Sequence, residues 1–374
     1  VKQGDEIQVR LPQRYQVTTG KVMAPTPLTD QTVTVKISDQ TNIGFEYDSW
    51  AYTLEIDDYM ERYAKPAVET LVNNIDFTGL KRMYKKVAKV VGVPNVPPGS
   101  SGTLPQAAMQ PYIDARTKLR ESAVGGKYRA ILSPDMHGYA VTGMAELFNP
   151  TPLISAHFTE GQFGANALGI SKWHEDQNVA THTVGALGGT PVVIGANQTG
   201  SSINLDGTGG AVADYFLEGD VVQFAGVNEI NPQSHQSTGR LKDFVATANA
   251  TASAGALVTI NIEPELIISG EWATASAAPA NNAVVTVFGH ASSYAGLETP
   301  QGFVYNKEAF ICVMADLVLP RGLWVSERIR SEKLGISIRM LKDTDIVNDE
   351  HPTRLDTAHG WTAYREVLAC RVCG

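Results

Sequence analysis

Two early segments of the chain alternate apolar and polar residues with a period of two. They are residues 5–10 and 32–37, and this period is typical of half-buried strands. Gly20, Pro25 and Pro27 lie between them and favour turns. The pattern predicts one long hairpin, with no other strand-like segment nearby. Such a hairpin is a poor independent domain, and its open edges need a partner.

The period changes in the next segment, which begins at Pro66. Apolar residues then recur at three- and four-residue steps, as on one face of a helix: Val68, Leu71, Val72, Ile75, Leu80, Met83, Tyr84, Val87 and Val91. Pro66 suits a first helical turn, and Gly92 followed by Pro94 favours termination. We predict a spine helix of roughly 40 Å, at 1.5 Å per residue. A bend is expected at Gly79.

A linker rich in Pro, Gly and Ser spans residues 95–102 and opens a region in which helices and strands alternate. We predict a helix from Thr103 to about Ser122 and a second helix, capped by Ser133, that runs to about Phe148. Between them, residues 128–132 are typical of a strand. The region is therefore predicted to be an α/β domain.

After Gly185 the composition shifts to Gly, Ala, Thr and Asn, which with short strand signals predicts a small all-β unit. The predicted strands are residues 191–194, 220–224, 243–247, 257–262 and 284–288. Its inward-facing candidates are Val221, Phe224, Phe244, Leu257, Ile260 and Ile262. Strand-like runs then return at residues 310–317, 335–341 and 363–372.

Composition narrows the class of protein. The 374 residues include 30 Lys plus Arg and 39 Asp plus Glu, a formal net charge of −9, with 43% hydrophobic and 18% charged residues. This indicates a folded protein of more than one domain and argues against a nucleic-acid reader. The sequence has no apolar run long enough for a membrane span and no signal-peptide pattern, so we expect a soluble protein. Three cysteines argue for a reducing compartment rather than a disulfide framework.

The common catalytic motifs are absent from the sequence: it has no phosphate-binding loop with its Lys, no His-Glu-x-x-His and no Gly-x-Ser-x-Gly. The glycine tracts at residues 185–189 and 207–210 lack a Lys that could meet a phosphate, so turns explain them better than nucleotide binding. Cys370 and Cys373 have the spacing of half a zinc site. In a strand, however, residues three apart point to opposite faces, which favours two small buried side chains.

The best polar cluster for catalysis or metal binding is His174, Glu175 and Asp176 with His182. The polar residues between the two histidines make an exposed strand or loop equally natural. Asp135 and His137 lie at a predicted helix start, where the helix dipole alone favours an Asp. None of these residues requires an active site.

The order of segments, together with one signature, resembles a known family. The order is an arm hairpin, a short turn at residues 55–58, a spine helix, an α/β domain, an inserted β-barrel and closing strands. The signature spans residues 218–240 and comprises a Gly219-Asp220 turn, a strand ending in Ala225-Gly226-Val227, an Asn231-Pro232 step and a Thr238-Gly239 turn. These features resemble the major capsid proteins of tailed phages, and more narrowly the coat proteins of short-tailed Salmonella-type phages.

The resemblance implies an α+β fold, the Johnson capsid fold, with an extended hairpin arm, a long spine helix, an axial α/β domain and an inserted all-β barrel. The implied domains are an extended hairpin loop at 1–50, a peripheral domain with the spine helix at 51–100, an axial domain at 101–195, the barrel at 196–283 and a return to the axial and peripheral domains at 284–374. Such coat proteins usually carry an N-terminal arm before the hairpin. We therefore expect residues to be missing from the front of this sequence, through cleavage, disorder or removal, and an intact mass above 40.2 kDa.

In function, the resemblance implies a virion subunit that assembles in the host cytoplasm into pentamers and hexamers of an icosahedral shell around double-stranded DNA. It implies no enzymatic activity, no cofactor, and no catalytic, cofactor-binding or metal-binding residue. The implied partners are further copies of the chain, a scaffolding protein, a portal protein and, as a further candidate, a decoration protein. DNA is enclosed without sequence-specific binding, and no membrane is involved. An acidic inner wall fits this role, because it repels phosphate and lets packaged DNA slide.

Two experiments follow from these expectations. The hairpin should lie across a neighbouring subunit, so deleting residues 20–30 should leave a folded monomer that forms no closed shells. The segment 196–283 should fold when expressed alone. Two alternatives stay open: a tail or fibre protein whose barrel binds glycans, and a hydrolase that uses His174 or His182.

Overall fold

The computed structural model describes residues 6–17, 20–21, 30–50, 60–100, 105–144, 167–289, 298–331 and 335–374. Its α-helices are α1 (Lys65–Met83), α2 (Pro105–Glu121) and α3 (Pro134–Met144). A π-helical turn covers Met60–Ala64, and 3-10 turns cover Tyr84–Lys86, Ala167–Gly169 and Glu366–Leu368. None of the helices described is long and apolar enough to cross a membrane.

The strands of the described residues are β1 (Glu6–Arg10), β2 (Thr32–Lys36), β3 (Asp39–Phe45), β4 (Val90–Gly92), β5 (Tyr128–Leu132), β6 (Ile170–Glu175), β7 (Thr181–Thr183), β8 (Val192–Val193), β9 (Gly200–Asp206), β10 (Val212–Phe216), β11 (Val221–Phe224), β12 (Asn228–Ile230), β13 (Ser237–Leu241), β14 (Phe244–Ala246), β15 (Ala250–Ala252), β16 (Val258–Leu266), β17 (Val285–Val287), β18 (Glu298–Asn306), β19 (Phe310–Ala315), β20 (Val325–Arg330), β21 (Ser337–Lys342), β22 (Thr353–Ala363) and β23 (Ala369–Cys373). Within the described residues, three α-helices and many strands give the mixed α+β class predicted from the sequence.

The chain divides into two compact units. The first consists of Val1–Leu11, Thr32–Leu80 and Phe310–Tyr364, and the second of Pro12–Gln31, Lys81–Ala309 and Arg365–Gly374. In the first unit the strands β19, β22, β21 and β20 form a sheet in that order, and β3 also pairs with β22. A buried Asp356 in β22 binds Arg339 of the neighbouring β21, with 2.6 Å between Nη2 and Oδ2. This charge-assisted pair joins the two strands.

The predicted hairpin is confirmed: β1 and β2 pair antiparallel, with Val9 opposite Val33, and form a two-stranded sheet by themselves. The expectation that no other strand lies nearby is wrong, because β3 follows almost at once and joins the sheet of β22. Its alternation of exposed and half-buried residues is the same period-two signal as in β2. Most of the residues of the proposed 20–30 deletion, 22–29, lie outside the described residues.

The spine helix α1 is shorter than predicted. It ends at Met83, so at 1.5 Å per residue its 19 residues span about 28 Å. Val91, predicted to lie on the helix, belongs instead to β4, which pairs in parallel with β23. Sheet pairing therefore overrides the helical period there. The helix is continuous through Gly79. A Cβ at this position would lie 2.5 Å from Cε2 of Trp361, so a side chain here would collide with the indole ring. The same indole donates from Nε1 to the Ile75 carbonyl at 3.0 Å.

The second unit contains a mixed sheet in the order β4, β23, β18, β5, β6, with β7 paired to the other part of β18. Both helices bury apolar side chains completely. These are Ala108, Tyr112, Ala115 and Leu119 on α2, and Met136 and Ala140 on α3. The predicted single strand at 363–372 is wrong. The 3-10 turn Glu366–Leu368 separates the end of β22, in the first unit, from β23, in the second.

The second unit also contains a closed β-barrel. Its strands follow the order β17, β11, β14, β16, β9, β8, and a bridge between Val192 and Val284 joins the two ends of the sheet. The five strands predicted in this region are confirmed as β8, β11, β14, β16 and β17. Strands β9, β10, β12, β13 and β15 were not predicted, since their small polar residues give no clear alternation. The Thr238-Gly239 turn of the signature lies instead within β13, where Gly239 has φ +77°.

The barrel core is apolar and well sealed. It includes Ile203, Leu205, Tyr215, Phe216, Val222, Phe224, Val227, Phe244, Ile260 and Ile262. Of the inward candidates, Phe224, Phe244, Ile260 and Ile262 are confirmed, but two are wrong. Leu257 is 49% exposed because it lies at a turn one residue before β16. Val221 faces outward and packs with Val90 and Cys373, because Val222 takes the inward side of β11.

Candidate functional site

A group of charged and hydroxyl side chains is buried where the outer wall of the barrel meets the mixed sheet and α2. We call Lys89, Lys118, Ser122, Glu229, Lys242 and Asp243 the polar cluster. Lys89 directly precedes β4, while Lys118 and Ser122 lie on and just after α2. The other three residues lie on β12 and between β13 and β14 of the barrel region. The polar cluster therefore joins segments that are far apart in the chain.

Glu229 is the centre of the polar cluster. Its Oε1 lies 3.2 Å from Nζ of Lys242 and 3.6 Å from Nζ of Lys89. The hydroxyl of Ser122 donates to the same oxygen at 2.9 Å and accepts a hydrogen bond from Lys89. The side chains of Lys89, Glu229 and Lys242 are 5%, 9% and 7% exposed, so each charge depends on these partners rather than on water.

The second ion pair of the polar cluster links α2 to the barrel. Nζ of Lys118 lies 2.7 Å from Oδ2 of Asp243 and donates to the Val90 carbonyl at 2.9 Å. The other carboxylate oxygen of Asp243 accepts from the amide of Gln223, at 2.5 Å. Gln223 lies on β11 between the inward residues Val222 and Phe224, so the barrel wall has an apolar side and a polar side.

Electrostatics in the polar cluster follow from burial and from the excess of ammonium groups. Burial alone raises the pKa of Glu229, but Lys242, Lys89 and the Ser122 hydroxyl outweigh it and lower that pKa to about 2. Burial lowers the pKa of Lys89, and Glu229 opposes that shift. The carboxylate of Glu229 therefore stays ionised at any physiological pH.

Two further buried contacts lie beside the polar cluster. Nε2 of His182, on β7, lies 2.8 Å from Oδ1 of Asp220, in the turn before β11. The other oxygen of Asp220 accepts from the backbone N–H of Leu217 at 2.8 Å and of Gly185 at 3.2 Å. Nη2 of Arg371, on β23, donates to the Gly219 carbonyl at 2.9 Å. These contacts connect the signature turn of the barrel to the mixed sheet.

The predicted catalytic cluster is not assembled. His182 is buried on β7 against Asp220, whereas His174 is exposed on β6, and no hydrogen bond or ion pair joins them in the described part of the chain. Glu175 instead lies 3.4 Å from Nδ1 of His137, and Asp176 accepts from the Asn178 N–H at 2.8 Å. Among the described residues, no three His, Cys, Asp or Glu side chains are placed to hold a metal ion. The His182 and Asp220 side chains are 8% and 0% exposed, so a substrate could not reach them.

The other candidates from the sequence have structural roles. The two glycine tracts pack against each other as turns: a Cβ on Gly189 would lie 2.2 Å from the Gly207 carbonyl oxygen, and Thr190 N–H donates to that oxygen at 2.9 Å. Cys370 and Cys373 are free thiols buried in β23. Asp135 lies in the first turn of α3, and Ser133 accepts from the Met136 N–H as a cap.

Sequence reasoning missed most of the polar cluster, although weak signals exist. Lys89 interrupts the apolar run from Val87 to Val91, and Arg371 lies between Cys370 and Val372 in a buried strand. A charged residue inside an otherwise apolar run is a candidate for a buried ion pair. Its partner cannot be identified in this way, because Lys89 and Glu229 are 140 positions apart in the chain.

The sequence model of the P22 coat protein family, described as gene protein 5, matches residues 16–369. The chain belongs to the P22 coat protein family. It is therefore a subunit of a phage capsid, which agrees with the family resemblance identified from the hairpin, the spine helix and the barrel signature. No curated protein sequence matches the chain.

Solved structures of phage capsids are similar to this chain at low sequence identity. The capsid of the cyanophage P-SCSP1u is 9% identical, with 100% of this chain and 84% of that chain covered and a TM-score of 0.50. The capsid of Ralstonia phage GP4 is 10% identical over 100% of this chain and 84% of that chain, with a TM-score of 0.44. The CUS-3 coat protein I-domain is 18% identical, covering 27% of this chain and 96% of that chain, with a TM-score of 0.20. The cyanophage likeness shows the capsid fold.

Proposed function

We propose that this coat protein assembles into pentamers and hexamers of an icosahedral shell that encloses double-stranded DNA. The observation that carries this proposal is a set of highly exposed apolar side chains in the first unit. Val318, Ile329, Ile346 and Val347 are between 73% and 91% exposed. Ile346 and Val347 are also adjacent in the chain, and neighbouring exposed apolar residues are typical of surfaces that contact another protein.

The open hairpin supports the same proposal. Among the described strands, β1 and β2 form a sheet of two, and Ile7 on β1 is 49% exposed. A two-stranded sheet is marginally stable alone, and its outer edges carry unpaired backbone groups that favour pairing with another chain. In the isolated subunit the residues just beyond β1 lie on the barrel of the same chain, where the guanidinium of Arg14 is 4.9 Å from the ring centroid of Trp272. We propose that in the shell the hairpin lies across a neighbouring subunit.

The domains have distinct proposed roles. The hairpin at 1–50 and the spine region at 51–100 contact neighbouring subunits, and the axial domain at 101–195 converges on the symmetry axes. The barrel at 196–283, flanked by its closing strands β8 and β17, is an insertion held on the axial domain by the polar cluster. Residues 284–374 return to the axial and peripheral domains.

The proposal includes partners and excludes catalysis. During assembly in the host cytoplasm a scaffolding protein guides shell formation, a portal protein occupies one vertex, and a decoration protein is a candidate for the outer surface. The subunit acts as a structural protein rather than an enzyme, which the burial of His182 and Asp220 supports. The DNA is enclosed without sequence-specific binding.

Negative-stain electron microscopy of the protein coexpressed with its scaffolding partner tests the proposal. We expect closed shells from the unchanged chain and none from an Ile346→Ser/Val347→Ser variant, whose exposed apolar surface is removed without loss of core. The matched control is Leu257→Ser, at a half-exposed position beside the barrel, which should still form shells. Shells of normal yield from the double variant, with its thermal unfolding unchanged, would reject the role of this surface. Failure of the unchanged chain to form any particle would reject the function itself.

A further inference from the structure

A cleft of about 790 Å³ in the second unit has five basic side chains among the thirteen residues that line it. We call Lys127, Arg129, Lys172, Lys307 and Arg365 the basic cleft. Lys127 directly precedes β5, Arg129 lies on β5, Lys172 lies on β6 and Lys307 lies in the turn after β18. Arg365 directly precedes the 3-10 turn that leads into β23. Four separate segments of the fold thus bring cations to one place.

The basic cleft is an exception to the charge of the chain. The protein carries a formal charge of −9, yet the described residues that line the cleft include five cations and one carboxylate, Glu308. Glu308 lies 3.5 Å from Nη1 of Arg365. In the part of the chain that the structure describes, the other four cations have no carboxylate partner within ion-pair distance. Their charge is therefore available to a ligand.

The placement of two of these cations costs stability. Strands β5 and β6 are parallel, and Arg129 is the direct register partner of Lys172. Like charges directly opposite each other on neighbouring strands are destabilising. Their field also reaches His174: burial lowers the pKa of His174 most, Arg129 and Lys172 lower it further, and Asp176 opposes that shift. Because neither cation of this pair has a carboxylate of the described residues within ion-pair distance, an anion bound from outside explains the pair better than folding does.

We propose that the basic cleft binds backbone phosphates of the enclosed double-stranded DNA. This inference rests on the proposed function, in which the shell encloses DNA. No aromatic side chain lines the described cleft, so it offers no platform for stacking a base and no sequence readout. Gly125 and Gly126 form part of the wall and let a phosphate approach the backbone closely. An acidic peptide fits less well, because the lining offers few apolar side chains to hold one: Ala123, Val124 and Leu368.

The proposal is compatible with an acidic chain. A single small basic site on each subunit gives a weak contact that depends strongly on salt, while the net negative charge prevents DNA from adhering to the rest of the surface. Each cation that meets a phosphate contributes about 0.9 to the slope of the logarithm of the binding constant against the logarithm of salt concentration. The cleft therefore predicts a measurable salt slope.

The test is fluorescence anisotropy of a labelled 20-base-pair duplex with the purified full-length subunit, from 50 to 200 mM NaCl. We expect Arg129→Gln/Lys172→Gln to weaken binding at 50 mM salt by about tenfold or more and to reduce the slope by about 2. The matched control is Arg328→Gln/Arg330→Gln, the same charge change on two cations that Asp316 already partners in the first unit. It should leave both quantities nearly unchanged.

Three outcomes would overturn the proposal. They are no binding of the duplex by the unchanged subunit, an equal loss in the control, and displacement of the duplex by a ten-residue polyglutamate peptide that binds more tightly than the DNA. Removing a like-charge pair should keep or raise the melting temperature of the variant, which differential scanning fluorimetry measures, so that unfolding does not account for lost binding. Shell formation is imaged separately on the same preparations. A subunit that forms shells but does not bind the duplex therefore rejects only this inference.

Discussion

The barrel has two buried sides with opposite chemistry. Inside, Phe224 and Phe244 lie with ring centroids 5.4 Å apart in a core of aliphatic and aromatic residues. Outside, on the wall that meets the mixed sheet, Glu229 binds Lys89 and Lys242. Both sides are almost fully excluded from solvent, yet one depends on apolar contacts and the other on ion pairs.

The difference indicates that the two sides do different work. Apolar burial stabilises a fold in proportion to area but has little direction, whereas a buried ion pair offers modest net stability and strict geometry. We infer that the core holds the barrel together and that the polar cluster sets the position of the barrel on the axial domain. A barrel wall with a polar contact side can also be exposed to water before it packs against the axial domain.

The largest expected effect concerns excised barrels. A fragment of residues 190–289 contains all six strands of the closed sheet, whereas 196–283 lacks β8 and β17 and leaves β9 and β11 with open edges. We expect the longer fragment to unfold cooperatively and to give dispersed amide spectra. The shorter one, which the sequence alone predicted to fold by itself, should instead be disordered or aggregate, because it lacks these two strands and unpaired strand edges favour association. A disordered longer fragment would mean that the core needs the polar cluster in order to fold.

Breaking the polar cluster should destabilise the whole chain. We expect Glu229→Gln to lower the free energy of unfolding by about 3–5 kcal/mol, since it leaves Lys89 and Lys242 buried without their carboxylate. Urea unfolding measures this change. Adding Lys242→Met should recover part of the loss, because one unpaired ammonium group is removed. A loss below 1 kcal/mol in the free energy of unfolding would show that the Glu229 ion pairs contribute little to stability.

Opening a cavity in the core provides the matched comparison. We expect Phe224→Ala to cost about 3–5 kcal/mol through lost burial and a residual cavity. Its loss should not be relieved by Lys242→Met, and the barrel should keep its position on the axial domain. If the two variants responded alike to the second substitution, the core and the polar cluster would form one energetic unit.

Lowering the pH should reduce the stability contribution of the polar cluster and leave that of the apolar core unchanged. The pKa of Glu229 is lowered from 4.5 to about 2 in the folded chain, so its contribution to stability is complete above pH 4.5 and is lost as the pH falls toward 2. Stability differences between the unchanged chain and Glu229→Gln should therefore shrink over that interval. The difference between the unchanged chain and Phe224→Ala should stay constant. Urea midpoints at pH 6, 4 and 3 measure both.

The smallest effect is expected at the rim of the polar wall. Lys86 and Glu263 form an ion pair at 3.0 Å with side chains 40% and 39% exposed. We expect Glu263→Gln to change the free energy of unfolding by about 0–1 kcal/mol, and less in high salt, because water and counterions screen the pair. A loss as large as that of Glu229→Gln would show that burial is not what distinguishes the polar cluster.

Local features of the fold were predictable from sequence. Residues 128–132 alternate buried and half-buried side chains and form β5 with the predicted bounds, and the period of two in β1 and β2 indicated the hairpin. Errors occurred where distant pairing decides the structure. Val91 continues the helical period, but this β-branched residue belongs to β4 and pairs with β23. Leu257 lies at a turn that its own apolar character does not reveal.

The polar cluster and the basic cleft were beyond sequence reasoning for one shared reason. Each consists of residues from several segments, and the chemistry arises only from their juxtaposition. In the sequence, nothing distinguishes Lys172 on β6 from other exposed lysines. Only the register of the sheet shows that it lies opposite Arg129. Asp220 was interpreted as a turn residue, which is right, but its pairing with His182 depends on where β7 meets β18.

The position of β23 has a consequence for the order of events during synthesis. This strand lies between β4 and β18, and its residue Arg371 pairs with Val90, which the ribosome makes about 280 residues earlier. At a synthesis rate of about 5–20 residues per second, the position beside β4 that β23 takes stays empty for roughly 15–60 s. The strands of the barrel all lie between Val192 and Val287, so it is complete well before that position is filled. A nascent coat protein therefore carries a finished barrel beside an unfinished sheet, and the late strand that brings Arg371 to Gly219 is also the one that joins β4 to β18 in the mixed sheet.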